Sequence, residues 1–219
     1  MKKFCVLLMG LMFLVACAST PKYQGVFVPK EYVSQFQPGQ EEHTLRWLRP
    51  GFDFTKYNKC MVDYVIFALA PDSEYKGIDA DEMKKLADAA SLALVNAINP
   101  KHPVVSEPGP GVSRIKFAIT DLTQSRPVVS AITTVIPVGL GINLIKKGTT
   151  DEWSGSGLTK AEVIFFDSMT NEVIAAGYAD YSAGFTERFT KWGSVEEAFK
   201  HWGEMCVNAI QNIKAGTYK

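Results

Sequence analysis

The chain predicts an α+β (or α/β) domain in which a mixed β-sheet of about four to five strands is covered by two main helices, and three observations carry that expectation. Two long stretches, 78–98 and 195–214, repeat apolar residues at helical spacing. Between and before them lie short runs of alternating or continuous apolar residues bounded by Pro, Gly and Asp. Two of the alternating runs are joined by a polar five-residue turn, the pattern of a hairpin. The order strand, helix, strands, hairpin, helix places the helices against one sheet.

Each element follows from local chemistry. Residues 57–69 alternate and then become continuously apolar at 65–69 before Pro71 and Asp72, as a buried strand does. Asp79 is a good N-cap, Glu82 completes an Asp-type capping box, and Met83, Leu86, Ala87, Ala90, Leu94 and Ala97 share one helix face. Asn99 and Pro100 end that helix. After the Pro108-Gly109-Pro110-Gly111 hinge, residues 112–122 form a strand with Ile115, Phe117 and Ile119 on one face. Residues 157–166 and 172–181 flank the turn 167–171, where Asn171 suits a left-handed position. Ser194 and Glu197 form a capping box for the last helix, whose stripe is Val195, Phe199, Trp202, Cys206, Ala209 and Ile213. Residues 44–51 read as a loop that buries Trp47 and stops at Pro50-Gly51.

The N-terminus reads differently. Lys2 and Lys3 form a cationic region, residues 4–14 an apolar one, and Leu14-Val15-Ala16-Cys17 resembles a lipobox. The apolar run is shorter than the roughly 20 residues of a spanning helix. The expected organisation is a signal peptide over 1–16, a lipidated N-terminus and tether over 17–42, and a single domain over 43–219. Ala18 is not the aspartate that resembles an inner-membrane retention signal, so the expected location is the outer membrane, facing the periplasm, with the membrane met through lipid on Cys17. Within the tether, Val26-Phe27-Val28 reads as linker, with pairing to a sheet edge as the alternative.

Removal of the first 16 residues leaves 203, the length of one domain plus a tether. It also takes the formal charge from zero to −2. With no basic block, nucleic acid is not an expected partner. Cys5 leaves with the signal and Cys17 is consumed by lipid, so Cys60 and Cys206 remain as a candidate disulfide or as two small buried hydrophobes.

No local motif calls for a catalytic residue, a cofactor or a metal. His43, His102 and His201 are isolated, and the expected setting of His201 is exposed or interfacial. Gly155-Ser156-Gly157 is not a nucleophile elbow, and Gly139-Leu140-Gly141 lacks the third glycine of a dinucleotide loop. Asp121, Asp167 and Asp180 lie near strand ends, where such residues usually bond backbone amides. The uncharged segment 128–145 sits at the lower edge of the length of a membrane-spanning helix, but Pro137, Gly139 and Gly141 weaken that reading, and it reads rather as a helix and loop packed over the sheet or as an association surface. Its candidate contacts are Val128, Ile132, Ile136, Leu140 and Ile145.

Together with the lipobox, several motifs resemble a bacterial lipoprotein family, the domain-of-unknown-function family numbered 3313. They are Asp53-Phe54-Thr55-Lys56-Tyr57, Glu107-Pro108-Gly109-Pro110-Gly111 before Ile119-Thr120-Asp121, the turn Asp167-Ser168-Met169-Thr170-Asn171-Glu172, and the late helix after Trp192. Asn171 stands where that family more often has glycine. The resemblance implies an envelope lipoprotein domain and supplies no catalytic residues. The leading expectation is a non-catalytic binding or adaptor domain whose partner is another envelope protein or component. The alternatives are an envelope hydrolase with a carboxylate site and an oligomer-forming envelope assembly protein.

Overall fold

The computed structural model describes residues 23–69, 71, 79–123, 157–182 and 193–217. The lipobox with Cys17 and the segment 128–145, with Val128, Ile132, Ile136, Leu140 and Ile145, lie outside these residues.

The architecture is α+β, with one mixed sheet and both long helices on the same face. In chain order the elements are α1 (Lys30–Val33), β1 (Gln37–Pro38), β2 (Thr44–Leu48), β3 (Lys59–Val62), β4 (Ile66–Phe67), α2 (Ala80–Ile98), β5 (Val112–Thr123), β6 (Leu158–Asp167), β7 (Val173–Ser182) and α3 (Gly193–Lys214). Among the described residues the sheet has seven strands rather than four or five, ordered β1-β2-β7-β6-β5-β3 with β4 also on β5. Short edge pairings account for the difference.

Residues 44–48, read as a loop, pair antiparallel with β7, and two residues of β1 pair with them in turn. A charged Arg46 in a five-residue run hides the alternation that the neighbouring strand enforces. The single strand expected over 57–69 is broken into β3 and β4, both parallel to β5. Val62 faces Ile115 and Ile66 faces Ala118, so one extra residue must be absorbed between the two pieces. Helix α2 supplies the crossover that parallel pairing requires.

The expected helix start holds at Asp79, whose Oδ1 accepts the Glu82 amide at 2.9 Å. The hairpin also stands: the Asp167 carboxylate accepts the Met169 and Thr170 amides, and Asn171 sits at φ 57°. A register shift between Ile119 and Asp121 puts Leu122 on the same buried face as Ile115, Phe117 and Ile119. These residues meet Leu94 and Ile98 of α2 and Val195, Phe199 and Trp202 of α3 in the main core. Gly203 lets the helices approach closely, since a Cβ there would lie 2.7 Å from the Ala97 Cβ.

A second, smaller core lies on the other face, and it corrects the reading of the tether. Val28 and Val33 are buried with Trp47, Ile164 and Ala176, and Phe27, Tyr32 and Phe36 pack around them. Residues from Tyr23 onward therefore belong to the packed body. Among the described residues, no helix is long and apolar enough to cross a membrane.

Candidate functional site

Small residues on β7 help to form an apolar hollow on the helical face of the sheet. Alternation points Ala175, Gly177 and Ala179 at the helical face, while β6 contributes Ala161, Val163 and Phe165 there. Helix α3 is held over β5 by Phe199 and Trp202 against Phe117, with ring centroids 5.5 and 6.4 Å away. Between the later turns of α3 and strands β2 and β7 remains a groove of about 320 Å³. Its walls are largely apolar, with Trp202, Met205, Ala209, Ile210 and Ile213 on the helix side. Gly177 has little spare room, because a Cβ there would meet the Leu45 carbonyl at 3.2 Å and a Val163 methyl at 3.3 Å.

Charge enters this groove at two points. Arg46 is half-buried, stands opposite Gly177 in the β2–β7 register, and lines the groove. Glu41, on the loop between β1 and β2, pairs with His201 Nε2 of α3 at 2.7 Å and ties the two walls together at the rim. Thus His201, expected to be exposed or interfacial, is a half-buried partner in a clasp. Its ring also lies 5.7 Å from that of Tyr181.

The opposite face holds a buried carboxylate that sequence reading missed. Glu162 is fully buried, and its two oxygens accept four hydrogen bonds from the N-terminal segment. Oε1 accepts from the Tyr23 hydroxyl at 2.5 Å and the Val26 amide at 2.6 Å, and Oε2 from the Phe27 and Val28 amides at 2.9 and 2.5 Å. Burial, then the Glu162 carboxylate, pushes the Tyr23 phenol far above its ordinary value, so it remains a donor. Val26-Phe27-Val28 therefore neither pairs with a strand nor acts as a linker. Its amides form a cradle around one anion. The available signal was parity: Glu162 shares its strand face with Ile164 and Phe166, which marks that face as covered.

The aspartates are engaged locally. Asp121 accepts from Lys160 Nζ at 2.9 Å and from the Leu122 amide, and Lys160 stands opposite Asp180 in the hairpin register. Asp180 accepts from the Tyr178 hydroxyl and lies 3.9 Å from His43. Asp167 is at the far end of the hairpin, where burial would raise its pKa but the Tyr57 hydroxyl and two turn amides outweigh that, holding it at about 2. His102 is buried with Nε2 lacking a hydrogen-bond partner, and burial followed by the Lys214 cation lowers its pKa.

The candidate disulfide is not formed, for Cys60 and Cys206 are both free thiols. They belong to one core, and burial pushes each thiol up to about 12, with Cys60 adding to the effect on Cys206. Among the described residues, no group of three or more His, Cys, Asp or Glu side chains is placed to hold a metal ion.

Comparison with known proteins adds a family. No curated protein matches the chain. Among solved structures, the PelC dodecamer from Paraburkholderia phytofirmans is similar at 10% identity and a TM-score of 0.41, covering 77% of this chain and 96% of that one. A Xanthomonas campestris protein is similar at 10% identity and a TM-score of 0.37, covering 77% and 91%. A DUF4136 family protein from Bacteroides thetaiotaomicron matches at 10% identity and a TM-score of 0.35, covering 78% and 98%. The family described as protein of unknown function DUF3313 matches residues 22–205, and the chain belongs to that family.

Proposed function

We propose that the protein is a cell-envelope binding domain, anchored by lipid on Cys17 to the periplasmic face of the outer membrane, and that it works by holding an apolar ligand rather than by catalysis. The groove of about 320 Å³ between α3 and the β2–β7 edge carries this reading. Its size falls at the lower end of small-ligand sites, and its walls are the apolar surfaces such sites use. The local engagement of Asp121, Asp167 and Asp180 favours binding over acid-base chemistry.

The N-terminal strap supports the anchoring half of the proposal. Glu162 fixes the chain from Tyr23, six residues after Cys17, and six residues reach at most about 20 Å. A lipid at Cys17 would therefore hold the domain close to the bilayer.

Two measurements test the reading. Labelled palmitate should enter the wild-type protein but not Cys17→Ala, and label in that variant would remove the anchor. An environment-sensitive apolar dye should brighten on binding and be excluded by Ala209→Trp, which places an indole in the groove. A dye signal unchanged by that substitution, in a variant with native circular dichroism, would remove the groove as the binding site.

A further inference from the structure

Resting on the binding reading above, we infer that the groove receives one acyl chain of the protein's own Cys17 anchor when the anchor is out of the bilayer, the chain lying along Ala175, Gly177 and Ala179 beneath α3. Three observations select that occupant.

The first is where the N-terminal strap leaves the body. The Tyr23 ring lies 4.2 Å from that of Tyr178 and 6.2 Å from that of Phe36, on the sheet face opposite the long helices. Phe36 runs directly into β1, the edge strand, and Gly39, Gln40 and Glu41 of the loop that follows line the groove. From β7 to β1 is two strand spacings, about 10 Å, and passing round that edge to the helical layer adds about 10 Å. The six residues from Cys17 to Tyr23 span at most about 20 Å. An acyl group on Cys17 therefore reaches the β1–β2 rim, and its chain extends beyond that point.

The second is charge. Among the described residues that line the groove, Arg46 and Glu41 carry full charges, and neither is free: Arg46 is engaged within the protein, and Glu41 pairs with His201. A charged ligand would thus be desolvated against apolar walls without a counter-ion. A chain joined to the protein through its carbonyl has no charge, whereas a free fatty acid has one.

The third is size. From Ala175 to Ala179 the floor runs about 13 Å, with groove-facing side chains no larger than a methyl. The volume of about 320 Å³ holds about ten methylenes if each takes roughly the 30 Å³ of a water, which is part of one chain and too little for two. A helix of a partner protein is about 10 Å across and needs far more room. In water each methylene covered favours occupancy about fourfold, and the tether keeps the chain at high effective concentration. In a bilayer the chain already lies in hydrocarbon, so that advantage disappears and the groove empties.

The test uses the full lipidated protein from cells fed a diazirine-bearing palmitic acid, purified in detergent and irradiated either after detergent removal or in phospholipid vesicles. Adducts joining the Cys17 peptide to the β7 and α3 groove peptides should form off the membrane. They should fall at least tenfold in vesicles and at least tenfold in Ala209→Trp. A mixture of isotopically heavy and light protein should give these adducts within single copies. Heavy–light adducts in statistical proportion would overturn the inference in favour of a second copy, and equal yields in vesicles and off the membrane would overturn the exchange with the bilayer. Absence of groove adducts off the membrane, with an apolar dye still excluded by Ala209→Trp, would overturn the inference and leave apolar binding intact. Absence of both adducts and dye binding would overturn both. Should Ala209→Trp fail to fold, the wild-type contrast between the two conditions still decides.

Discussion

The Tyr23 hydroxyl donates to Oε1 of Glu162 at 2.5 Å, joining the first described residue to a strand 139 positions later. The same carboxylate gathers the amides of Val26, Phe27 and Val28, so one buried anion secures the whole strap. Buried charge of this kind is tolerable because every oxygen is saturated by donors.

Glu162→Gln should therefore detach the strap. The amide group turns one acceptor oxygen into a donor facing donors, and the cost should be about 2–4 kcal/mol. Urea unfolding measures it, and hydrogen exchange at residues 26–28 should accelerate. A change below about 0.5 kcal/mol would show that the apolar contacts of Val28 and Val33 hold the strap alone.

Gly203→Ala should press the two long helices apart. The new methyl would meet the Ala97 Cβ at 2.7 Å and the Leu94 carbonyl at 3.3 Å. Overpacking of this type costs about 1–3 kcal/mol. Thermal unfolding checks it, and pairing with Ala97→Gly should recover most of the loss.

Stability should fall with acid in two separate windows. His102 has its folded pKa lowered by burial and by Lys214, so its contribution is complete above the ordinary value of 6.5 and declines as pH falls below it. Asp167 is held at about 2 against an ordinary 3.8, so its contribution is present above 3.8 and is lost as pH falls toward 2. Partial exposure should limit the Asp167 share to roughly 1–2 kcal/mol. His102→Leu should flatten the upper window and Asp167→Asn the lower, as read from unfolding midpoints across pH.

Both core thiols should resist alkylation in the native protein. Burial holds Cys60 and Cys206 at about 12, leaving almost no thiolate near neutrality. Peptide mapping after denaturation without reductant should find both fully alkylated. Recovery of a Cys60–Cys206 crosslinked peptide would contradict the free thiols.

Much of the architecture is local, and the sequence alone determined that part. The Asp79 cap, the α2 and α3 stripes, the Asn171 turn and the 115-117-119 face are set by interactions within a few residues, where capping, periodicity and positive φ leave visible marks. Strands β1 and β2, by contrast, left no such mark, and the break between β3 and β4 left none either. Strands β1 and β2 are two to five residues long and exist because a longer neighbour offers its edge.

The sites belong to the tertiary structure. Glu162 has no local signature in the sequence, and only the returning N-terminal segment makes it a buried anchor. Ala175, Gly177 and Ala179 read as weak strand formers, and only the placement of α3 above them turns missing side chains into a cavity. Arg46 is joined to that cavity by pairing with Gly177, 131 residues away. Contacts this distant depend on which face each strand turns to its partners, a property of the assembled sheet rather than of any one segment.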